Sequence, residues 1–127
     1  MTIDQAAVLA ELEVLVARYE QALVHNDLDT LAELFWHDPR TVRFGATENL
    51  YGYEAIEQFR RGRATQGLAR VVRHQTLTTF GDHTAVSMIE YQRPGDAMPG
   101  RQSQTWVRLP EGWRVVAAHV SVMQPPR

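Results

Sequence analysis

Cysteine and lysine are both missing from this 127-residue sequence, and each absence excludes a class of chemistry. Without cysteine the protein has no disulfide, no thiolate nucleophile and no cysteine-ligated zinc site. All 13 basic residues are arginine, so a Schiff-base lysine and the lysine of a phosphate-binding loop are excluded as well. Any catalysis in this protein must use other groups.

Metal and nucleotide motifs are also missing. The five histidines include no pair at the three-to-five spacing of a helical metal site. There is no glycine-rich nucleotide loop and no Gly-x-Ser-x-Gly motif of an esterase. We therefore expect no metal ion and no other cofactor.

A strong charge of one sign and long apolar runs are absent too. The 13 basic and 15 acidic residues leave a net charge of -2, without a basic stripe that would indicate nucleic acid or an anionic membrane. The N-terminus lacks the features of a signal peptide, and no run is long enough to cross a bilayer. With 44% apolar residues the chain can bury one core. We expect a single domain over residues 1–127, in a soluble cytoplasmic protein without nucleic-acid or membrane partners.

The first half of the sequence predicts three helices and one short strand. Apolar residues recur every three or four positions from Val8 to Leu23, the period of an amphipathic helix. Capping residues, glycine and proline set the other boundaries. The expected elements are a helix from a capping box at Thr2 and Gln5 to about His25, a helix capped by Asn26 and Asp27 and stopped by Asp38-Pro39, a strand over residues 41–45, and a helix over residues 53–67.

The second half predicts an antiparallel meander. Four runs rich in β-branched and aromatic residues, at 71–80, 84–93, 102–109 and 113–122, are separated by turns that contain glycine or proline. Helices followed by such strands indicate an α+β fold in which a curved antiparallel sheet wraps around the long N-terminal helix. A pocket between sheet and helix is expected in this arrangement.

Arg43 is the most informative residue of the short strand. It lies between Val42 and Phe44 in an apolar run, so it is not an ordinary surface arginine. A partly desolvated guanidinium needs acceptors, and an anionic ligand would supply them. The alternative is a structural ion pair with an internal carboxylate such as Glu90. Arg43 is thus a candidate anion clamp.

Strand alternation predicts which side chains line the pocket. Tyr19 lies on the apolar stripe of the first helix, and Arg43 on the short strand. On the last strand, His119 and Ser121 share a face with Trp113, which is expected to point inward. The arginines at 60, 61 and 63, by contrast, are expected to form a solvated helix end.

The helix-helix-strand-helix start, the Asp38-Pro39-x-Thr41 strand entry and the ending Trp113-x5-His119-x-Ser121 resemble the NTF2-like (SnoaL-like) α+β cone superfamily. This resemblance covers essentially the whole chain but says little about activity. A closer resemblance, to the AtzH-like family, is carried by residues 18–23, 35–45, 48–52, 100–107 and 112–121.

The AtzH-like resemblance implies a class of substrate. The family includes oxalurate-catabolism accessory proteins and a small amidohydrolase of cyanuric acid breakdown, which converts 1,3-dicarboxyurea to allophanate with loss of CO2. The tyrosine and strand arginine implicated there fall on Tyr19 and Arg43. The resemblance therefore implies a cofactor-independent decarboxylating amidohydrolase acting on a small carboxylated urea.

Three further residues are candidates on chemical grounds. His119 could exchange protons near neutral pH, or be a structural histidine of the sheet. Ser121 and Gln104 could orient the amides of a ureido substrate, or be polar groups of the sheet surface. Tyr19 likewise has a structural alternative, as a core tyrosine with its hydroxyl satisfied.

Two other functions compete with the amidohydrolase. One is a non-catalytic ureido-acid-binding or accessory protein for a partner amidase of the pathway. The other is a ketosteroid-isomerase-like or cyclase enzyme, which needs an inward carboxylate base. Whatever the function, we expect a homodimer through the outer face of the sheet, because Trp106, Val107 and the apolar alternate positions of the last strands exceed what one helical layer covers.

Overall fold

A six-stranded sheet curves around a long helix in this protein, for which a computed structural model describes residues 1–126. The predicted α+β class is confirmed. The elements, in chain order, are α1 (Ala6–Val24), α2 (Leu28–Leu34), β1 (Val42–Phe44), β2 (Asn49–Tyr51), α3 (Tyr53–Gly62), β3 (Val71–Phe80), β4 (Thr84–Gln92), β5 (Gly100–Leu109) and β6 (Gly112–Val122).

The sheet has the strand order β2-β1-β6-β5-β4-β3. Strands β3 to β6 form the predicted antiparallel meander, but β1 runs parallel to β6, so the sheet is not wholly antiparallel. Strand β2 was not predicted, since three residues carry too little periodic signal. Its pairing with β1 fixes the short strand that carries Arg43.

Helix α1 buries its apolar stripe against the concave side of the sheet. Leu12, Val16 and Tyr19 are each almost fully buried on this stripe. The predicted capping box is wrong: the helix begins at Ala6, and Gln5 caps it without a side-chain hydrogen bond. The residues before the helix contact the sheet instead, because Asp4 forms hydrogen bonds with the backbone of Thr79.

The other helices position the residues beside the core. Asp27 caps α2, as predicted, by accepting a hydrogen bond from the backbone N–H of Thr30 at 3.2 Å. Helix α3 ends at Gly62, five residues earlier than expected, because Arg63 is already extended with φ -78° and ψ 158°. The apolar face of α3 carries Ile56 into the core together with a charged residue, Arg60.

A β-bulge in β6 decides which side chains of this strand point inward. Trp106 pairs with Val115 and Thr105 pairs with Ala117, so one step along β5 corresponds to two steps along β6. The extra residue, Val116, reverses the alternation beyond it. Val115 and Ala118 are therefore both buried, although they lie an odd number of positions apart.

Trp106 points into the core and is fully buried. The prediction that Trp106 contributes to an apolar outer face of the sheet is therefore wrong. Among the described residues, no helix is long and apolar enough to cross a membrane.

Candidate ligand site inside the cone

A polar row crosses the inner face of the sheet. In register from β1 to β4 it consists of Arg43, Ala118, Gln104 and Ser87. Neighbouring strands lie about 4.8 Å apart, so the backbones of Arg43 and Gln104 are roughly 10 Å apart with only the small Ala118 between them. Arg43 is 8% exposed, Gln104 2% and Ser87 0%. A buried polar row of this kind is costly unless its groups are hydrogen-bonded.

Several groups of this row have no hydrogen-bonding partner among residues 1–126. Both amide atoms of Gln104 and the hydroxyl of Ser87 are unpartnered, although each is buried. A free primary amide offers one acceptor and two donors, which complement the N–H and C=O groups of a urea. Gln104 is therefore not a polar group of the sheet surface, which was the alternative that the sequence left open, and Ser87 lies beside it.

Arg43 is held by a carboxylate from its own hairpin. Its Nη1 donates a hydrogen bond to Oε1 of Glu48 at 3.1 Å, and its guanidinium lies over the ring of Phe59 at 5.7 Å. A Cβ at Gly45 would overlap the Glu48 carboxylate in the position from which it meets Arg43. The alternative partner suggested by the sequence, Glu90, lies on the outer face opposite Arg101.

Tyr19 forms the second polar centre, on α1. Its hydroxyl accepts a hydrogen bond from Nη2 of Arg60 at 2.9 Å, and both residues are buried. The Arg60 guanidinium stacks over Phe35 at 4.9 Å. Because Arg60 donates to the hydroxyl oxygen, the phenolic O–H is free to donate to another group.

The pKa of Tyr19 is lowered below its usual value of 10.0. Burial by itself raises this pKa, but the nearby positive charges of Arg60 and Arg43 and the hydrogen bond from Arg60 outweigh it. A phenolate formed at Tyr19 is thus stabilised by these cations. The hydroxyl can release a proton more readily than an ordinary tyrosine.

A third arginine extends the polar interior toward the start of β5. Arg70 makes a bidentate ion pair with Glu20, at 2.8 Å and 2.7 Å, and donates to Oε1 of Gln102 at 2.9 Å. It also stacks on the Tyr91 ring at 4.3 Å. Glu20 compensates the charge of Arg70, as Glu48 compensates that of Arg43.

The interior holds more cations than carboxylates. Arg43 pairs with Glu48 and Arg70 with Glu20, while Arg60 forms no ion pair among the described residues. Arg63 adds to this excess: burial, and next the positive charge of Arg60, lower its pKa to about 10, which leaves it charged at neutral pH. An excess of buried positive charge suits an anionic ligand.

His119 and Ser121 lie on the other side of the sheet. The β6 bulge turns both outward, and they line a depression of about 390 Å³ on the outer face. His119 is exposed and meets Phe44 edge-on at 5.8 Å. The predictions that they face the cone are wrong in placement, because strict alternation does not survive the extra residue at Val116.

Arg60 is the residue of the site that sequence reasoning missed. It was predicted to be solvated with Arg61 and Arg63, yet it is 1% exposed, whereas Arg61 is exposed and pairs with Glu57. A signal was available: Ile56 and Arg60 are four residues apart, on one face of α3. Ser87 was likewise detectable, since it lies on the same face of β4 as the buried apolar residues Ala85 and Ile89.

No metal centre lies among these groups. Within residues 1–126, no three histidine or carboxylate residues come close enough together to hold a metal ion. The donors that the interior offers to an anion are guanidinium, amide and hydroxyl groups.

The curved sheet wrapped around α1 is an α+β cone with the NTF2-like fold. The AtzH-like family model matches residues 1–126, and the chain belongs to the AtzH-like family. The predicted family is thereby confirmed. No curated protein matches the sequence.

Two similar solved structures share the whole fold. A DUF3225-family protein of unknown function from Pectobacterium atrosepticum is 53% identical, with 96% of this chain and 95% of that chain covered and a TM-score of 0.95. A cystatin-like fold protein from Burkholderia xenovorans is 39% identical over 99% of each chain, with a TM-score of 0.94. An NTF2-like protein of unknown function from Pseudomonas putida, 19% identical over 95% of this chain and 90% of that chain, has a TM-score of 0.79 and supports the fold alone.

Proposed function

We propose that this protein is a cofactor-independent decarboxylating amidohydrolase that acts on a small carboxylated urea such as 1,3-dicarboxyurea. The observation that carries the proposal is the buried pair of Tyr19 and Arg60, in an interior with more arginines than carboxylates. The pair supplies a proton donor with a stabilised conjugate base, and the excess charge supplies the attraction for an anion.

Substrate binding is assigned to the polar row. Arg43 binds a carboxylate of the urea through the donors that Glu48 leaves free. Each charge-assisted hydrogen bond of this kind contributes roughly 1.5–3 kcal/mol. Gln104 presents its unpartnered amide to the ureido frame from the same inner face.

The reaction needs one proton at the nitrogen. In the dianion of 1,3-dicarboxyurea the bond between a terminal carboxylate carbon and its nitrogen breaks, and the electron pair stays on nitrogen. CO2 leaves, and nitrogen takes a proton from Tyr19 to give the allophanate anion. Arg60 stabilises the Tyr19 phenolate until solvent returns the proton. Dianion and proton thus become monoanion and CO2.

Turnover of 1,3-dicarboxyurea by purified protein tests the proposal. Tyr19→Phe should lower the rate by about 10²-fold or more, the scale of general acid catalysis, and shift the melting temperature by only a few degrees. Because Tyr19 acts in its protonated form, the rate should fall as the pH rises through its lowered pKa, before the usual tyrosine value of 10.0 is reached. Wild-type protein that binds the compound without releasing CO2 would contradict the enzyme.

A ureido-acid-binding or accessory protein is the second candidate. Its support is the set of unpartnered buried donors and acceptors, which bind a ligand whether or not a proton is transferred. A ketosteroid-isomerase-like enzyme has less support, because it needs an inward carboxylate base. Glu20 and Glu48, the carboxylates that reach the buried arginines, are both held in ion pairs.

We further propose that the protein is a homodimer through the outer face of its sheet. This face carries exposed Met88 and the depression that His119 and Ser121 line. Light scattering at micromolar concentration should give twice the mass of the chain, and a monomer mass would reject the dimer.

A further inference from the structure

Arg60 combines deep burial with a charge that no carboxylate of residues 1–126 compensates. It is 1% exposed on the inward face of α3, between the Tyr19 hydroxyl and the Phe35 ring that it contacts. Its Nε and Nη1 atoms are buried and have no acceptor among residues 1–126. A guanidinium has five donors in a fixed fork, so its single hydrogen bond to Tyr19 leaves most of this capacity unused.

The other two buried arginines show what is unusual about Arg60. Arg43 and Arg70 each face a glutamate of this chain at hydrogen-bond distance. Among the described residues, no carboxylate forms an ion pair with Arg60, and the nearby Arg63 adds a further positive charge. A charge buried in this way is costly unless an anion meets it.

Arg43 and Arg60 come from different walls of the cone. Arg43 stands on β1 and stacks on Phe59, whereas Arg60 stands on α3 and stacks on Phe35. Planar guanidiniums on separate elements suit two separate anionic groups better than one shared carboxylate. A ligand with a carboxylate at each end of a short, planar frame offers one anionic group to each guanidinium.

We propose that Arg60 is the specificity-determining residue of the site: its free Nε and Nη1 donors bind the second carboxylate of the ligand, so the protein selects small dicarboxylates over monocarboxylates. The inference deepens the proposed function and rests on it for the position of the ligand. It assigns the first carboxylate to Arg43 and the second to Arg60.

A matched pair of stable probes tests this selection. Glutarate has the five-atom chain length of 1,3-dicarboxyurea and a carboxylate at each end, and glutaramate replaces one carboxylate by an amide. Calorimetric titration of wild-type protein should show glutarate bound about tenfold to hundredfold more tightly than glutaramate. Arg60→Met should reduce this ratio to about one while leaving the affinity for glutaramate nearly unchanged.

Two further variants make the result decisive. Arg61→Met removes a neighbouring exposed guanidinium of the same helix and should keep the wild-type ratio. Arg60→Gln keeps a hydrogen-bond donor for Tyr19 but removes the charge, so it should lose the preference for glutarate over glutaramate. This variant tests the inference if Arg60→Met does not fold. Preference for glutarate in either folded Arg60 variant, or none in the wild-type protein, overturns the inference.

The binding ratio separates this inference from the amidohydrolase. If Arg60 variants lose the preference while the wild-type protein never turns over 1,3-dicarboxyurea, the role of Arg60 stands and the enzyme fails. If turnover is found and the ratio does not depend on Arg60, the enzyme stands and the role of Arg60 fails.

Discussion

The two ends of the cone interior are built on the same helix and the same sheet but filled in opposite ways. Near the β5–β6 hairpin, where Trp113 donates to Glu11, the space is filled by large apolar side chains such as Leu12 and Trp106. The indole N–H of Trp106 is the exception at this end, since it is buried and has no partner among the described residues. Toward the other end of α1 it contains Tyr19 and Arg60, which are polar and incompletely hydrogen-bonded.

This difference separates stability from binding. Apolar side chains at the hairpin end gain from burial, roughly 25 cal/mol for each Å² removed from water. At the Tyr19 end, unpartnered groups such as those of Gln104 cost free energy in the unliganded protein. In the proposed function the polar end binds the ligand, so mutations at the two ends should have opposite effects on stability.

The largest effect on stability is expected from Trp106→Ala. The side chain is fully buried, so its removal leaves a large cavity and should lower the free energy of unfolding by about 3–5 kcal/mol. Urea denaturation measures the change. Tyr51→Ala, at a position that is 66% exposed, is the control and should cost less than about 1 kcal/mol. Equal losses in the two variants would contradict the comparison.

Arg43→Met should act mainly on binding. The variant keeps most of the volume but removes the anion clamp, so affinity for glutarate should fall by about tenfold to hundredfold. Calorimetry measures the affinity and circular dichroism the fold. The exposed Arg18→Met serves as the control. Unchanged affinity would place Arg43 in a structural role with Glu48.

Gln104→Leu should raise stability and weaken ligand binding at the same time. Because neither amide atom has a partner among the described residues, losing them should raise the free energy of unfolding by about 1 kcal/mol. Binding of a ureido acid should weaken in the same variant. Gln58→Leu, at an exposed position of α3, should change neither. A marked loss of stability in Gln104→Leu would mean that the amide is satisfied in solution.

The smallest effect is expected from His119→Asn. The imidazole is exposed on the outer face, so turnover of 1,3-dicarboxyurea should stay within about twofold of wild type. Steady-state kinetics of this variant and of Tyr19→Phe, measured side by side, compare the two losses of turnover. A loss confined to His119→Asn would transfer the proton-donor role to the imidazole.

Local sequence signals determined the secondary structure well. The strand predicted over residues 71–80 is β3 as observed, and Asp27 caps α2 as its side chain suggested. Periodicity and capping depend on neighbours a few positions apart, which a single sequence displays directly. Strand β2 escaped detection because a three-residue strand has no period to measure.

The inward direction of a candidate site residue was predictable where it depends only on the periodicity of one helix or strand. Tyr19 lies on the stripe of α1, and Arg43 points inward with Thr41, as alternation requires. The prediction that His119 faces the cone failed because of the extra residue in β6. That residue is set by pairing with β5, about ten residues away in sequence, and no local pattern indicates it.

The sequence by itself determined the fold class, the family and the inward direction of Tyr19 and Arg43, because each follows from short-range periodicity or from contiguous motifs. Tertiary structure alone decided that Arg60 is buried against Tyr19, 41 residues away, and that Glu48 rather than Glu90 meets Arg43. Charge compensation depends on which side chains converge in space. Only the packed chain shows which guanidinium is left without a carboxylate.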